Sequence, residues 1–376
     1  MKIIYISKSI IPSRSANSIH VMKMCQAFAD NGHKVVLLAP DLKNYYERDI
    51  VDIYEYYGVK KNFQIKKLFH PNIRFGAFLY VLAIFFYLLT SKRFDVVYGR
   101  FLHGIYIASL LNYKVIYESH APIFSKEDHR LLVFKKLIKS RNFEKLVVIS
   151  KVLKNMYLDN GYLSNSKIQV AHDGADKVEN FKSKNNLLGL KNNLKVGYVG
   201  HLYKGKGMEV ILSLAERLDA DTEIHIIGGL DEDIKFWKNK ILSKNIYFYG
   251  FIPHKQVGDY ISALDVCLLP NQKIILAHGS NPQNISLNIS TFTSPLKLFE
   301  YMSYKKPIIA SDFPVIREVL NEKNSILVKS NDIDTWLSSI KLLKNNELRD
   351  SLSSNIFRDF LKFTWKNRAL ELLDDI

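Results

Sequence analysis

Three short runs hold the residues best suited to chemistry. The first is Ser294–Leu320, SPLKLFEYMSYKKPIIASDFPVIREVL. Apolar Leu296, Leu298, Phe299 and Met302 predict a short helix over 295–304. Ser294 suits its N-cap and Pro295 its first helical position. A helix start offers unpaired N–H groups and positive dipole potential, which suit a phosphate. Glu300, about one and a half turns in, either accepts hydrogen bonds from sugar hydroxyls or is an ordinary solvated helix residue. The second run, Gly200-His-Leu-Tyr-Lys-Gly-Lys-Gly207, joins a predicted strand to a helix. Its amides and the Lys206 ammonium suit a diphosphate, although the Walker spacing is absent and the run alone is a weak signal. The third is Glu118-Ser-His120, where a predicted strand over 114–118 ends. A histidine just past the carboxyl end of a strand stands where α/β sheets bind ligands, with a capping role as the alternative.

These runs need sheets to position them. Ile3–Ile6 reads as a strand, 8–19 as a polar loop, His20–Asn31 as a helix and His33–Ala39 as a second strand, a βαβ unit. Ser15, Asn17 and Ser18 of that loop either turn amides and hydroxyls toward an acceptor or merely connect. Further strands are predicted at 95–98, 145–150, 167–171, 194–200, 223–229, 265–270 and 307–311. Gly228 sits in a glycine pair that lets the backbone turn beside a ligand. The Lys- and Asn-rich stretch 177–195 is the natural linker, so the fold class is α/β with two Rossmann-like domains. The polar stretch 271–293, centred on Gly279–Pro282, is a long loop placed to close over the helix that follows it.

The runs at 196–207 and 294–320 resemble the nucleotide-sugar signature of the family-4 retaining glycosyltransferases, which have the two-domain GT-B fold. The resemblance covers nearly the whole chain. It implies an N-terminal acceptor-side domain over 1–178, a nucleotide-sugar domain over 195–360, and a helix over 361–376 that returns to the first domain. Glu300 matches the family's second signature Glu, which holds the nucleotide ribose, while Phe292 stands where the first belongs. Lys206 matches the family's loop Lys and His201 replaces its Arg. With Gly200, Gly228, Ser294, Pro295 and Leu296 these residues form the implied donor site. His120 matches the family histidine that reaches the donor sugar. Glu118 holds its imidazole or meets acceptor, and Ser15, Asn17 and Ser18 replace the usual glycines on the acceptor side. The implied catalytic set is His120, Lys206 and Glu300. The implied reaction moves a sugar, with retention, from a nucleoside-diphosphate-sugar donor to a glycan or lipid-linked acceptor, as in bacterial surface-polysaccharide synthesis. No Asp-x-Asp stands at the donor site, so neither a metal nor another cofactor is expected, the nucleotide-sugar being a substrate.

A net charge of +16 suits anionic partners, whether a nucleotide, a lipid phosphate or a membrane face, or else is a solvated lysine surface. The basic residues are dispersed and no nucleic-acid motif accompanies them, which argues against nucleic acid. Cys25 and Cys267 lie far apart in apolar surroundings and read as core thiols. Met1-Lys2 leads straight into a strand, so no signal peptide and a cytoplasmic location are expected. The apolar segment 75–89 would span roughly 22 Å as a helix, short of the roughly 30 Å hydrocarbon core. It reads as a core helix or, flanked by Arg74, Lys92 and Arg93, as one lying on the inner membrane face. Two other readings remain at this level, a nucleotide-sugar epimerase of the same architecture and a non-catalytic nucleotide-sugar or glycan binder.

Overall fold

The computed structural model describes residues 1–42, 45–47, 50–124, 128–181, 187–275 and 288–376. Two compact units emerge: Met1–Asp173 with Trp365–Ile376, and Gly174–Thr364. The crossing points differ from the expected 178 and 361. Ala175 pairs with Thr364 in an isolated parallel bridge, which ties both crossing segments to the second unit.

The first unit is a parallel sheet of seven strands: β1 (Lys2–Ile6), β2 (Lys34–Asp41), β3 (Gln64–Phe69), β4 (Val96–Gly99), β5 (Lys114–Ser119), β6 (Phe143–Val148) and β7 (Ile168–Val170). Their spatial order is β3-β2-β1-β4-β5-β6-β7. Ile3, Ile4, Tyr5 and Ile6 are fully buried, the pattern of a central strand covered on both faces. The order reverses between β1 and β4, and in such sheets ligands bind beyond the carboxyl ends near the reversal.

The second unit repeats the plan with β8 (Leu194–Val199), β9 (Thr222–Ile227), β10 (Ile246–Phe248), β11 (Val266–Leu269), β12 (Ile308–Ser311) and β13 (Ile326–Val328). All pairings are parallel, in the order β10-β9-β8-β11-β12-β13. The reversal here lies between β8 and β11. The glycine-lysine loop follows β8, and the segment leading to the helix Leu296–Ser303 follows β11. Val196, Tyr198, Ile211, Ile226, Leu268 and Trp336 lie in the core that fixes both.

The apolar segment forms the helix Gly76–Thr90. Gly76, Tyr80, Ile84 and Leu88, four residues apart, face inward, while Phe75, Phe78, Phe86 and Leu89 are exposed. Among the described residues no helix is long and apolar enough to cross a membrane. Cys25 and Cys267 are buried free thiols. The expected loop over 271–293 is described only at its ends, and its centre Gly279–Pro282 lies outside the described residues. Those ends are stitched together: Ile289 donates to the Ile275 carbonyl at 2.8 Å, and Asn288 Oδ1 accepts from the Ile275 amide at 2.9 Å.

Candidate active site

In the second unit the helix Leu296–Ser303 has Pro295, extended at φ −74° and ψ 121°, as its N-cap, and no side chain caps it. Ser294 is therefore one residue outside the position expected for it. A helix start without a side-chain cap keeps its first-turn N–H groups for solvent or an anion. The helix is anchored by Tyr301, whose hydroxyl accepts from the Val199 amide at the end of β8 at 2.8 Å. Glu300 Oε1 lies 2.8 Å from His254 Nε2, from the first residue of the helix His254–Ala263. Beside it, the loop after β8 packs tightly. Gly228 adopts φ +111°, and a Cβ there would meet the Gly200 carbonyl oxygen at 2.6 Å. The Gly200 amide donates to Ile227, that of Gly228 to Gly250 and that of Lys206 to Tyr203, at 2.8–3.2 Å. These three amides hold the two neighbouring loops in shape and are not themselves offered to an anion, whereas the Lys206 side chain carries a charge that can attract one. Burial pushes that amine down to about 8. Lys297, the second residue of the helix, is half-buried, but its Nζ is buried, lacks a hydrogen-bond partner and lies 3.6 Å above the Tyr198 ring. Phe292, where the resemblance places the family's first signature Glu, is 5% exposed and apolar.

The first unit holds a different cluster. Glu118, next to last in β5, is 1% exposed. Its Oε1 is 2.5 Å from His120 Nε2, 2.9 Å from Arg368 Nη2 and 3.0 Å from His20 Nε2, and Oε2 accepts from the Tyr98 hydroxyl. His20 Nδ1 reaches Asp173 Oδ1 at 2.8 Å. Arg368, from the helix Trp365–Glu371, also donates to the carbonyls of His172 (2.8 Å) and Ala171 (3.2 Å). Burial opposes ionisation of Glu118, but Arg368 and His20 outweigh it and hold the carboxyl well below its ordinary range. Burial, reinforced by Arg100 and opposed by Glu118, takes His120 down to about 4. His120 is therefore neutral near pH 7. A carboxylate only accepts, so Nε2 carries the proton and Nδ1 is left with its lone pair. His20, His120 and Asp173 bring potential metal-ligand atoms within 4.8 Å of one another. His20 Nδ1 and Asp173 Oδ1 already share a hydrogen bond, and Arg368 lies beside Glu118, an arrangement that suits a proton-fixing relay better than a cation.

The family model for Glycosyltransferase Family 4 matches residues 18–178, and that for Glycosyl transferases group 1 matches 179–359. The chain is a family-4 glycosyltransferase of the GT-B fold. An uncharacterized glycosyltransferase of Methanocaldococcus jannaschii is 27% identical over 99% of this chain and 97% of its own. Among solved structures, Anabaena HepE in complex with UDP and glucose superposes with a TM-score of 0.73 at 14% identity, over 100% of this chain and 99% of that one. The lipopolysaccharide outer core galactosyltransferase WaaB gives 0.64 at 16% identity, covering all of both chains.

In this glycosyltransferase the expected donor residues Gly200, His201, Lys206, Gly228, Ser294, Pro295, Leu296 and Glu300 all belong to the second unit, on the loops after β8 and β9 and at the helix start. The acceptor-side expectations need correction. The helix begins at Ala16, not His20, because Ser15 caps it by accepting from the Ser18 amide. Asn17 is thus an exposed first-turn residue, and Ser18 is buried with its hydroxyl donated to the carbonyls of Ser13 and Ser15 at 2.9 and 2.8 Å. Ser18 therefore offers no hydroxyl to an acceptor. Glu118 is too buried to meet acceptor and instead holds His120. Sequence reasoning missed His20, Arg368, His254 and Lys297.

Proposed function

We propose that this glycosyltransferase moves a sugar from a nucleoside-diphosphate donor to a hydroxyl of a glycan or lipid-linked acceptor, with retention at the anomeric carbon. The observation that carries the reading is the second-unit site. An uncapped helix start, the half-buried Lys206 and a carboxylate one and a half turns along flank the sheet's reversal point. Binding of UDP and glucose by the structurally similar HepE supports a nucleoside-diphosphate sugar as donor.

In the proposed reaction the bond from anomeric carbon to phosphate oxygen breaks. The bond to the acceptor oxygen forms on the same face, and the acceptor proton passes to the departing phosphate. Lys206 and the helix start stabilise the negative charge on that diphosphate, and Glu300 accepts from the ribose hydroxyls. His120, neutral with its Nδ1 lone pair free of the Glu118 bond, accepts from a sugar hydroxyl. No step calls for a metal or a protein nucleophile.

For the acceptor, the lipopolysaccharide substrate class named for WaaB supports a surface-glycan role. The exposed Phe75, Phe78, Phe86 and Leu89, with Arg74, Lys92 and Arg93 exposed at the helix ends, support contact with an anionic membrane face, where a lipid-linked acceptor would be met. Flotation without binding to anionic liposomes would remove that part of the reading. The donor is tested by thermal shift against UDP, GDP, CMP and their sugar conjugates. One of them should raise the melting temperature, since ligand well above its Kd stabilises by a few kcal/mol, about 2.7 at a hundredfold excess. The absence of a shift with every nucleotide would contradict the donor reading.

A further inference from the structure

Lys297 is unusual for a lysine at the start of a helix, a position that ordinarily points the ammonium into water. Its Nζ is buried without a hydrogen-bond partner. It lies 3.6 Å above the centre of the Tyr198 ring, at the end of β8. A Cβ at Gly200 would come within 2.8 Å of it, so the amine lies against the loop after β8. The carboxylate on its own helix, Glu300, is engaged with His254 at 2.8 Å. Its cationic neighbour is Lys206, close enough to disfavour the charged form of Lys297. Among the described residues neither amine makes an ion pair with a carboxylate. The Tyr198 face offsets part of the loss of water but gives the ammonium's N–H groups no acceptor. A buried amine without an acceptor, beside a second, half-buried lysine, is an arrangement that an anion would stabilise.

We propose that Lys297 is a diphosphate-binding residue, its ammonium closing with that of Lys206 on the phosphate oxygens of a nucleoside diphosphate. The proposal rests on the donor reading above and adds a residue and a proton linkage to it. Burial, then the charge of Lys206, hold the Lys297 amine well below its ordinary value, with Glu300 opposing, and Lys206 itself is pushed down to about 8. A diphosphate reverses both effects, since a nearby anion favours the ammonium forms. Binding should therefore take up protons at pH 8 and weaken at higher pH. The groups that face the pair are Glu300 and, through it, His254 on the helices, and Tyr198 and Tyr203 on β8 and its loop.

The test is isothermal titration of the full chain with UDP, GDP and CDP at pH 8, in two buffers of different ionisation enthalpy. Wild type should bind one of them with proton uptake. Lys297→Met should lower that affinity about tenfold or more, the scale of one charge-assisted contact, and reduce the uptake. Lys297→Arg, always charged, should keep affinity within a few fold and also reduce the uptake. Loss of folding would not explain the Met variant, because removing an unpaired buried amine should leave its melting temperature equal or higher. Equal affinity of Lys297→Met and wild type overturns the role of Lys297 and leaves the donor reading standing. No binding of any of the three by wild type overturns both.

Discussion

In the first unit the buried carboxylate of Glu118 has three nitrogens within 3.0 Å of one oxygen and a tyrosine hydroxyl on the other. In the second unit the Lys297 ammonium is buried beside the half-buried Lys206 with no such company among the described residues, and the carboxylate on the same helix, Glu300, is engaged by His254. Both regions lie at or just past the carboxyl ends of parallel strands in sheets of the same style. The fold alone therefore does not distinguish them, but their charge balance does. A closed set of donors and acceptors holds side chains still, and the cluster around Glu118 sets the tautomer of His120. An open set is costly until an outside ion completes it. The comparison separates groups that position from groups that bind.

The largest effect should come from opening the closed set. Arg368→Met leaves Glu118 buried without its strongest partner and should cost about 3–5 kcal/mol of stability, read by chemical denaturation. Adding Glu118→Gln to it should restore part of the loss, because no charge is then left uncompensated. A single variant as stable as wild type would mean that the carboxylate does not depend on Arg368. The reverse holds in the second unit. Lys206→Met should weaken nucleotide binding about tenfold or more while leaving the apo protein no less stable. A smaller and sharper effect is the pH profile of that binding. With Lys206 at about 8, affinity should fall as pH rises through 8, and Lys206→Arg should flatten the fall. The smallest effect concerns His120. Its folded value of about 4 lies below the ordinary 6.5, so the unfolded chain binds the proton first. That contribution is fully present above about pH 6.5 and lost as pH falls toward 4, and His120→Gln should make the stability curve shallower across that window. An unchanged slope would mean that His120 is not held neutral.

Much of this was readable in the chain. Apolar runs such as Ile3–Ile6 and Val266–Leu269 are buried on both faces and could hardly be anything but central strands. Lys206 and Glu300 were marked by a strand–loop–helix pattern, and His120 by following a strand. What escaped depended on distance or on exceptions to local rules. Arg368 meets Glu118 across 250 residues, and nothing near Trp365 advertises the contact. The first helix starts earlier than its apolar stripe because Ser15 caps a polar first turn. Lys297 occupies a position that reads as solvated on an amphipathic helix. Only the packing of that helix against Tyr198 and Gly200 shows that its amine is inside.

Hydrogen exchange with and without saturating nucleotide tests the central claim most directly, because it reports both units at once. Slowed exchange is predicted in the loop 200–207 and at the start of the helix Leu296–Ser303, with the backbone around Glu118 and Asp173 unchanged by nucleotide alone. Protection confined to the first unit, with none at the two lysines, would contradict the assignment of the open charge pair as the donor site.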